Sequence, residues 1–184
     1  MGDTLLSSLC RTWTWDPNHW CAIKFKADGT GELTCRVEFN IYVAAEFDWK
    51  PQLNSEPLDS VLDLNTNQDL LAEYNIELAL TRRRIPSLGD SVSEEALINE
   101  AHLKDAAFVP KTYTIRLEKG RFPVSRNVSV WANWWYGRRI VFDKSPFPPL
   151  EEWKGPGKRT VEGNKFYDRV DFYDQELEVT ERED

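Results

Sequence analysis

One stretch of the chain decides the fold, residues 21–49: CAIKFKADGTGELTCRVEFNIYVAAEFDW. Apolar and polar side chains alternate through it, which is the period of a β-strand with one buried face. The run Asp28-Gly29-Thr30-Gly31 interrupts the alternation, and its glycines adopt positive φ without steric cost. We therefore predict a β-hairpin over residues 20–39.

The odd-numbered apolar face continues beyond this hairpin to Trp49. A single strand of that combined length would be unusually long. The sequence therefore predicts a bend near Asn40 that separates strands at about 32–39 and 42–50. Pro51 ends the second strand, because proline cannot donate a hydrogen bond to a ladder.

Further alternating segments have the same period, and we interpret each as a strand. The first of them contains Trp13 and Trp15. The later ones run from Tyr74 to Leu80, from Tyr113 to a stop at Lys119 and Gly120, from Val128 to Phe142 with a break at Gly137, and over about 166–173. Helices do not alternate with these strands, so a parallel sheet is not expected. The prediction is a mainly antiparallel, all-β barrel of eight to nine strands with room for one small ligand, and a β-sandwich is the alternative.

Helical character is expected in one short insertion, at about 92–107. Ser93 is suited to the N-cap, and two glutamates follow it in the first turn. The insertion is interpreted either as a lid over a barrel mouth or as a solvated loop. A second short helix is expected around 58–64, and the proline-rich residues 145–158 are expected to form a loop.

The length of 184 residues fits one domain, which we place at 1–173 and follow with an acidic tail at 174–184. The chain has 23 basic and 31 acidic residues, a net charge of −8. An acidic surface repels nucleic-acid phosphates and anionic lipids, so neither is an expected partner. The N-terminus has no secretory signal pattern, and the three cysteines have no paired spacing, so reduced thiols and a cytoplasmic location are expected.

Three motifs resemble the lipocalin-like (calycin) barrels, in particular short intracellular proteins of the kind found in fungal secondary metabolism. They are Leu9-Cys10-Arg11-Thr12-Trp13, the hairpin Phe25–Gly31, and Phe47-Asp48-Trp49-Lys50 leading into Tyr74–Leu78. The family's usual Gly-x-Trp is replaced by Arg11-Thr12-Trp13, so only the tryptophan carries over. The resemblance implies a cavity for an apolar ligand, with Trp13 or Trp15 plugging the closed barrel end.

The chain is rich in rings, with 8 Trp, 9 Phe and 6 Tyr. Aromatic side chains line ligand pockets, and arginines bind anionic groups such as carboxylates. The candidate ligand-binding residues are Trp20, Phe39, Phe47, Trp49, Trp131, Trp135, Arg84 and Arg139. The alternative is that the rings fill the core and the arginines pair with surface acids.

Four residues are candidates for acid–base chemistry. Asp16 and His19 flank a turn, and histidine can act as a base near neutral pH. Glu46 and Asp48 share one strand face; if that face lines a cavity, burial would raise the pKa of a carboxyl there. If the apolar face points inward instead, both are ordinary solvated carboxylates.

The common catalytic signatures are missing, including GxSxG, the P-loop, GxGxxG and HExxH. Only two histidines are present, so neither a metal site nor a cofactor is expected. The hypothesis is an apolar small-molecule binder acting as a cofactor-free cyclase or isomerase (Diels–Alderase-like) in secondary metabolism, because a preorganised substrate conformer needs little more than shape. The alternatives are a non-catalytic intracellular carrier of a hydrophobic ligand and a protein-interaction domain. The protein is expected to be a monomer or a homodimer.

Overall fold

The computed structural model describes residues 3–16, 18–37, 40–53, 55, 57–91, 97–124 and 134–177. Eight antiparallel strands follow one another in chain order and close into a barrel, where Thr14 of the first pairs with Tyr173 of the last. The strands are β1 Thr12–Thr14, β2 Cys21–Phe25, β3 Thr30–Val37, β4 Asn40–Pro51, β5 Leu70–Arg84, β6 Lys111–Val124, β7 Trp134–Phe142 and β8 Asp171–Leu177. The predicted fold class, a mainly antiparallel sheet of eight to nine strands, is confirmed.

Helices in the described part of the chain are short. They are α1 Leu5–Leu9, α2 Ile98–His102 and α3 Lys158–Asn164, with 3₁₀ turns at Pro86–Ser91, Asp105–Phe108, Leu150–Glu152 and Phe166–Asp168. None of them has the length and apolarity needed to cross a bilayer.

The predicted hairpin is confirmed, with β2 and β3 paired from Cys21 opposite Cys35 to Phe25 opposite Gly31. Its turn is stabilised by Asp28, whose Oδ1 accepts a hydrogen bond from the Thr30 amide at 2.9 Å. The predicted separation near residue 40 is also confirmed, because β3 ends at Val37 and β4 begins at Asn40.

Several predicted strand ends are wrong. Gly120 does not stop β6, because a register shift between Lys119 and Phe122 absorbs the extra residues. Gly137 does not break β7, which is hydrogen-bonded on both sides, to β6 and to β8. Residues 166–168 form a 3₁₀ turn, and β8 runs on through Leu177, four residues into the segment interpreted as a tail.

The expected helices also differ. Ser93 lies outside the described residues, and α2 begins only at Ile98. Residues 58–64 form no helix, because their backbone binds the N-terminal segment instead. The Leu5 and Leu6 amides donate to the carbonyls of Ser60 and Leu58 at 2.9 and 2.7 Å, which places α1 beside this loop.

The two ends of the barrel are closed differently. The hairpin end, which holds the β2–β3 turn, is covered by α1, whose Leu5 and Leu9 are fully buried. The opposite end, called the capped end below, is covered by a cap built from the described residues of two insertions: 85–91 and 97–110 between β5 and β6, and 143–170 between β7 and β8.

Candidate functional site

The barrel interior is filled along much of its length. Each strand contributes at least one side chain with no exposed surface: Trp13, Ile23, Leu33, Phe47, Ile76, Ile115, Ile140 and Phe172. Zero exposure means that neither bulk water nor a water-sized internal space touches these side chains. Around them the interior is therefore close-packed core rather than a pocket.

The predicted pocket residues of β4 belong to this core. Phe47 and Trp49 each lie 5.4 Å, centroid to centroid, from the ring of Phe25 in edge-to-face contact. The Trp49 indole N–H also donates to the carbonyls of Lys26 and Thr30, at 3.1 and 3.0 Å. Trp49 thus stabilises the hairpin turn. This placement of Phe47 and Trp49 matches the alternative in which the rings fill the core.

A recess lies at the capped end, between the barrel wall and the cap. The space between its side chains is about 180 Å³ only when adjoining open solvent is included, and its enclosed part is too small for a water molecule. The wall supplies side chains of β5 and β6, and the cap supplies the rest: Leu78, Leu80, Lys111 and Tyr113 from the wall, with Ala107, Val109, Pro146 and Pro148 from the cap. Most of this lining is apolar, with Lys111 and Tyr113 as its polar members.

Two polar groups border the recess. The Lys111 ammonium lies 2.5 Å from a Glu152 carboxylate oxygen, and both side chains are largely buried. Burial, followed by the nearby carboxylates of Glu152 and Asp143, raises the pKa of Tyr113. Its phenol therefore stays protonated at neutral pH and can donate a hydrogen bond into the recess.

The cap is joined across its two insertions and anchored to the barrel. Leu103 pairs with Trp153 in an isolated β-bridge, and the Lys104 amide donates to the Glu152 carbonyl at 2.8 Å. The buried Asn99 side chain hydrogen-bonds both backbone groups of Ala44 in β4. The recess is therefore bounded on its outer side by a hydrogen-bonded layer.

The predicted acidic pair Glu46 and Asp48 lies on the outer face of β4. Arg83 bridges them from β5, at 2.7 Å to Glu46 and 3.0 Å to Asp48. The odd-numbered apolar face of this strand points inward, so both carboxylates lie outside the core, where the Asp48 side chain is 59% exposed and the Glu46 side chain 19%. They do not contribute to the recess.

Asp16 and His19 lie in the turn between β1 and β2. The Asp16 carboxylate accepts hydrogen bonds from the backbone amides of Asn18, Trp20 and Cys21 at 2.9–3.1 Å. His19 is exposed and has a positive φ of 54°. This geometry gives Asp16 a turn-stabilising role, and it does not bring the four predicted acid–base residues together.

The remaining predicted ligand residues are dispersed. Trp20 packs against the edge of the core. Arg121 stacks on Trp135, with 4.6 Å from the guanidinium carbon to the ring centroid. Arg139 pairs with Glu118 at 2.7 Å. The predicted Arg84 ends β5 opposite Ala45, whereas Phe39 and Trp131 lie outside the described residues.

Sequence reasoning missed the recess. The alternation predicts strands at Leu78 and Tyr113, but nothing in this pattern separates the lining of the recess from the core. Ala107 and Pro148 lie about forty positions apart and meet only through the cap. The prolines around 146–149 were the one local signal, because they exclude a regular strand there.

Among the described residues, no three His, Cys, Asp or Glu side chains converge to hold a metal ion. Comparison of the chain with known protein families, with curated protein sequences and with solved structures finds no match.

Proposed function

We propose that this protein binds a small apolar molecule in the recess at the capped end of its barrel. The observation that carries the proposal is the mostly apolar lining that side chains of β5 and β6 share with the cap, with Lys111 and Tyr113 as its polar members. Barrel mouths with an apolar lining and a few polar groups are common ligand sites. Such a site also agrees with the lipocalin-like resemblance, which we retain as part of this proposal.

The volume limits the size of the ligand. The enclosed space is too small for a water molecule, whereas an engineered cavity of about 150 Å³ holds benzene and drug-sized ligands occupy pockets of about 300 Å³ or more. A ligand of one ring therefore needs the cap to move away from the barrel wall. A folded polyene, which a cyclase would require, needs a much wider opening.

The polar groups limit its chemistry. Tyr113 offers a neutral hydroxyl, whereas the Lys111 ammonium is already paired with Glu152. We therefore expect an apolar ring with one hydrogen-bond acceptor. The recess favours the carrier hypothesis over the cyclase hypothesis, because Glu46, Asp48 and His19 do not line it.

The test uses cyclohexanone and methylcyclohexane, which are similar in size and differ in one acceptor. At 100 times its dissociation constant a ligand stabilises a protein by about 2.7 kcal/mol, which for a chain of this length raises the melting temperature by about 5–11 °C. We expect such a shift with cyclohexanone and a smaller one with methylcyclohexane. The eight tryptophans allow both titrations to be followed by intrinsic fluorescence.

The control variants are two adjacent alanines. Ala107 is buried in the recess, whereas Ala106 is exposed beside it. Ala107→Leu fills the recess and should abolish the shift, and Ala106→Leu should retain it. If Ala107→Leu does not fold, Tyr113→Phe is tested in its place. This variant should weaken the binding of cyclohexanone but not the binding of methylcyclohexane.

Two results would contradict the proposal: no shift of the wild type with either compound, or equal binding by the two leucine variants. A linear polyene serves as a second probe. Its conversion to an isomer of unchanged mass would support the cyclase hypothesis instead.

A further inference from the structure

Cys21 and Cys35 face each other across β2 and β3. They are directly opposite in the register, and their sulfur atoms lie 3.1 Å apart. Both thiols are free and buried. A disulfide bond is about 2.05 Å long, so the two sulfurs need to approach by only about 1 Å.

The position of this pair in the ladder suits a covalent link. The Arg36 amide donates to the Trp20 carbonyl at 3.1 Å, so the hydrogen bond flanks the cysteine pair instead of joining it. Opposed residues at such a non-hydrogen-bonded position have Cα atoms about 4.5 Å apart. That distance lies within the range of about 4.4–6.8 Å found across disulfides.

We infer that Cys21 and Cys35 form a site of oxidative modification, at which a peroxide closes a cross-strand disulfide. Each thiol first loses its proton. One thiolate attacks a peroxide oxygen and becomes a sulfenic acid as hydroxide leaves, and one of the released protons converts this hydroxide to water. The second thiolate then attacks that sulfur, the S–S bond forms, and the sulfenic oxygen leaves as hydroxide, which takes the other proton to become a second water. Two thiols thus lose two electrons and two protons, and hydrogen peroxide accepts them. This inference does not depend on the proposed recess ligand.

Local geometry gives the oxidant a route. Cys21 is the first residue of β2, so opening its end exposes the thiol without unfolding the barrel. The ladder between β3 and β4 is also irregular beside the pair, with a register shift between Cys35 and Arg36.

The reaction should nevertheless be slow at neutral pH. Burial raises the pKa of Cys35 well above its usual value, and the Cys21 thiol and the Asp16 carboxylate raise it further. Because the thiolate is the nucleophile, the oxidation rate should increase as the pH rises above 7.

The experiment treats the full chain with hydrogen peroxide and maps its peptides by mass spectrometry. We expect the loss of two hydrogen atoms, a linked peptide containing Cys21 and Cys35, and reversal by dithiothreitol. The bond closes a loop of about 15 residues, so the melting temperature should rise by about 6–12 °C. Cys10 supplies the matched control, because it is the third cysteine and lies outside the pair.

The variant Cys10→Ser should keep both the link and the shift, and Cys35→Ser should lose both. If Cys35→Ser does not fold, the peptide map of the oxidised wild type still shows whether Cys21 and Cys35 are linked. A bond that involves Cys10, or oxidation of Cys10 while the other two thiols stay free, would overturn the inference.

Discussion

Asn99 completes the hydrogen bonding of the barrel wall from within the cap. Its side-chain oxygen accepts the Ala44 amide at 2.9 Å, and its Nδ2 donates to the Ala44 carbonyl at 3.1 Å. The side chain is buried, so water cannot replace it in the closed cap. Asn99→Ala therefore tests whether the cap is docked on the barrel in solution.

The magnitude follows from the two Ala44 groups. The amide loses its partner, which costs about 1–3 kcal/mol for a buried group. The carbonyl keeps a second donor, the Ile85 amide at 3.1 Å, so only one hydrogen bond of about 0.5–1.5 kcal/mol is lost there. We expect a destabilisation of about 1.5–4.5 kcal/mol and a fall in melting temperature of about 3–18 °C.

Thermal denaturation measures the fall, and hydrogen exchange of the Ala44 amide reports the broken bond directly. The control is Asn164→Ala. This residue is exposed, and its side chain bonds only the Thr160 carbonyl among the residues that the structure describes, so its effect should be within about 0.5 kcal/mol. Equal melting of Asn99→Ala and wild type, with Ala44 still protected, would refute the reasoning, because the amide would then have another partner.

Three further substitutions test the wall and the outer surface. In Gly31→Ala the new Cβ would lie 2.1 Å from a Phe47 ring carbon and 2.5 Å from the Lys24 carbonyl oxygen. We therefore expect the free energy of unfolding, measured in urea, to fall by about 1–3 kcal/mol. An unchanged urea midpoint would show that the neighbours move aside without cost. Tyr74 has a buried hydroxyl without a partner in the described part of the chain, and burial raises its pKa. Its phenol therefore ionises first in the unfolded state, and wild-type stability should fall as the pH rises above about 10. Tyr74→Phe should be at least as stable as wild type at pH 7 and should lose less above pH 10; equal alkaline loss would contradict this. Arg83→Met should change stability by less than about 1 kcal/mol in thermal unfolding, because the arginine is 56% exposed, and a larger loss would show that its two ion pairs are structural.

The strand faces could be predicted because each depends on local information. Every second residue of β3 and β4 meets the same interior, so the apolar alternation through Leu33, Phe47 and Trp49 specifies the inward face. The sequence left open which face lines a cavity. Packing answers this for β4: the odd-numbered face is buried, and Glu46 and Asp48 point outward.

The strand ends could not be predicted, because they depend on partners that lie far away in the chain. Glycine in a strand costs about 0.5–1 kcal/mol relative to alanine. Gly137 is tolerated because the strand around it pairs on both sides, and Gly120 is tolerated because the ladder shifts register beside it. Local propensity is weaker than these long-range ladders.

The candidate site was hidden for a related reason. Its cap is joined across two insertions by contacts such as the bridge between Leu103 and Trp153, which lie fifty positions apart in the chain. The aromatic surplus pointed to the interior, where it forms the core. What distinguishes the recess is the place where the cap meets the barrel wall, and such a meeting of distant segments has no sequence pattern.

The recess and the cysteine pair share one end of the barrel but lie in different parts of its wall. Cys21 and Cys35 join β2 to β3, whereas the strands that line the recess are β5 and β6. The bond would constrain a hairpin that is already in register, so it should not reshape the recess. We therefore expect oxidised and reduced protein to bind cyclohexanone equally in the fluorescence titration. A change in affinity on oxidation would show that the barrel wall moves as a unit. Ligand binding in the recess would then be coupled to the conformation of the β2–β3 hairpin.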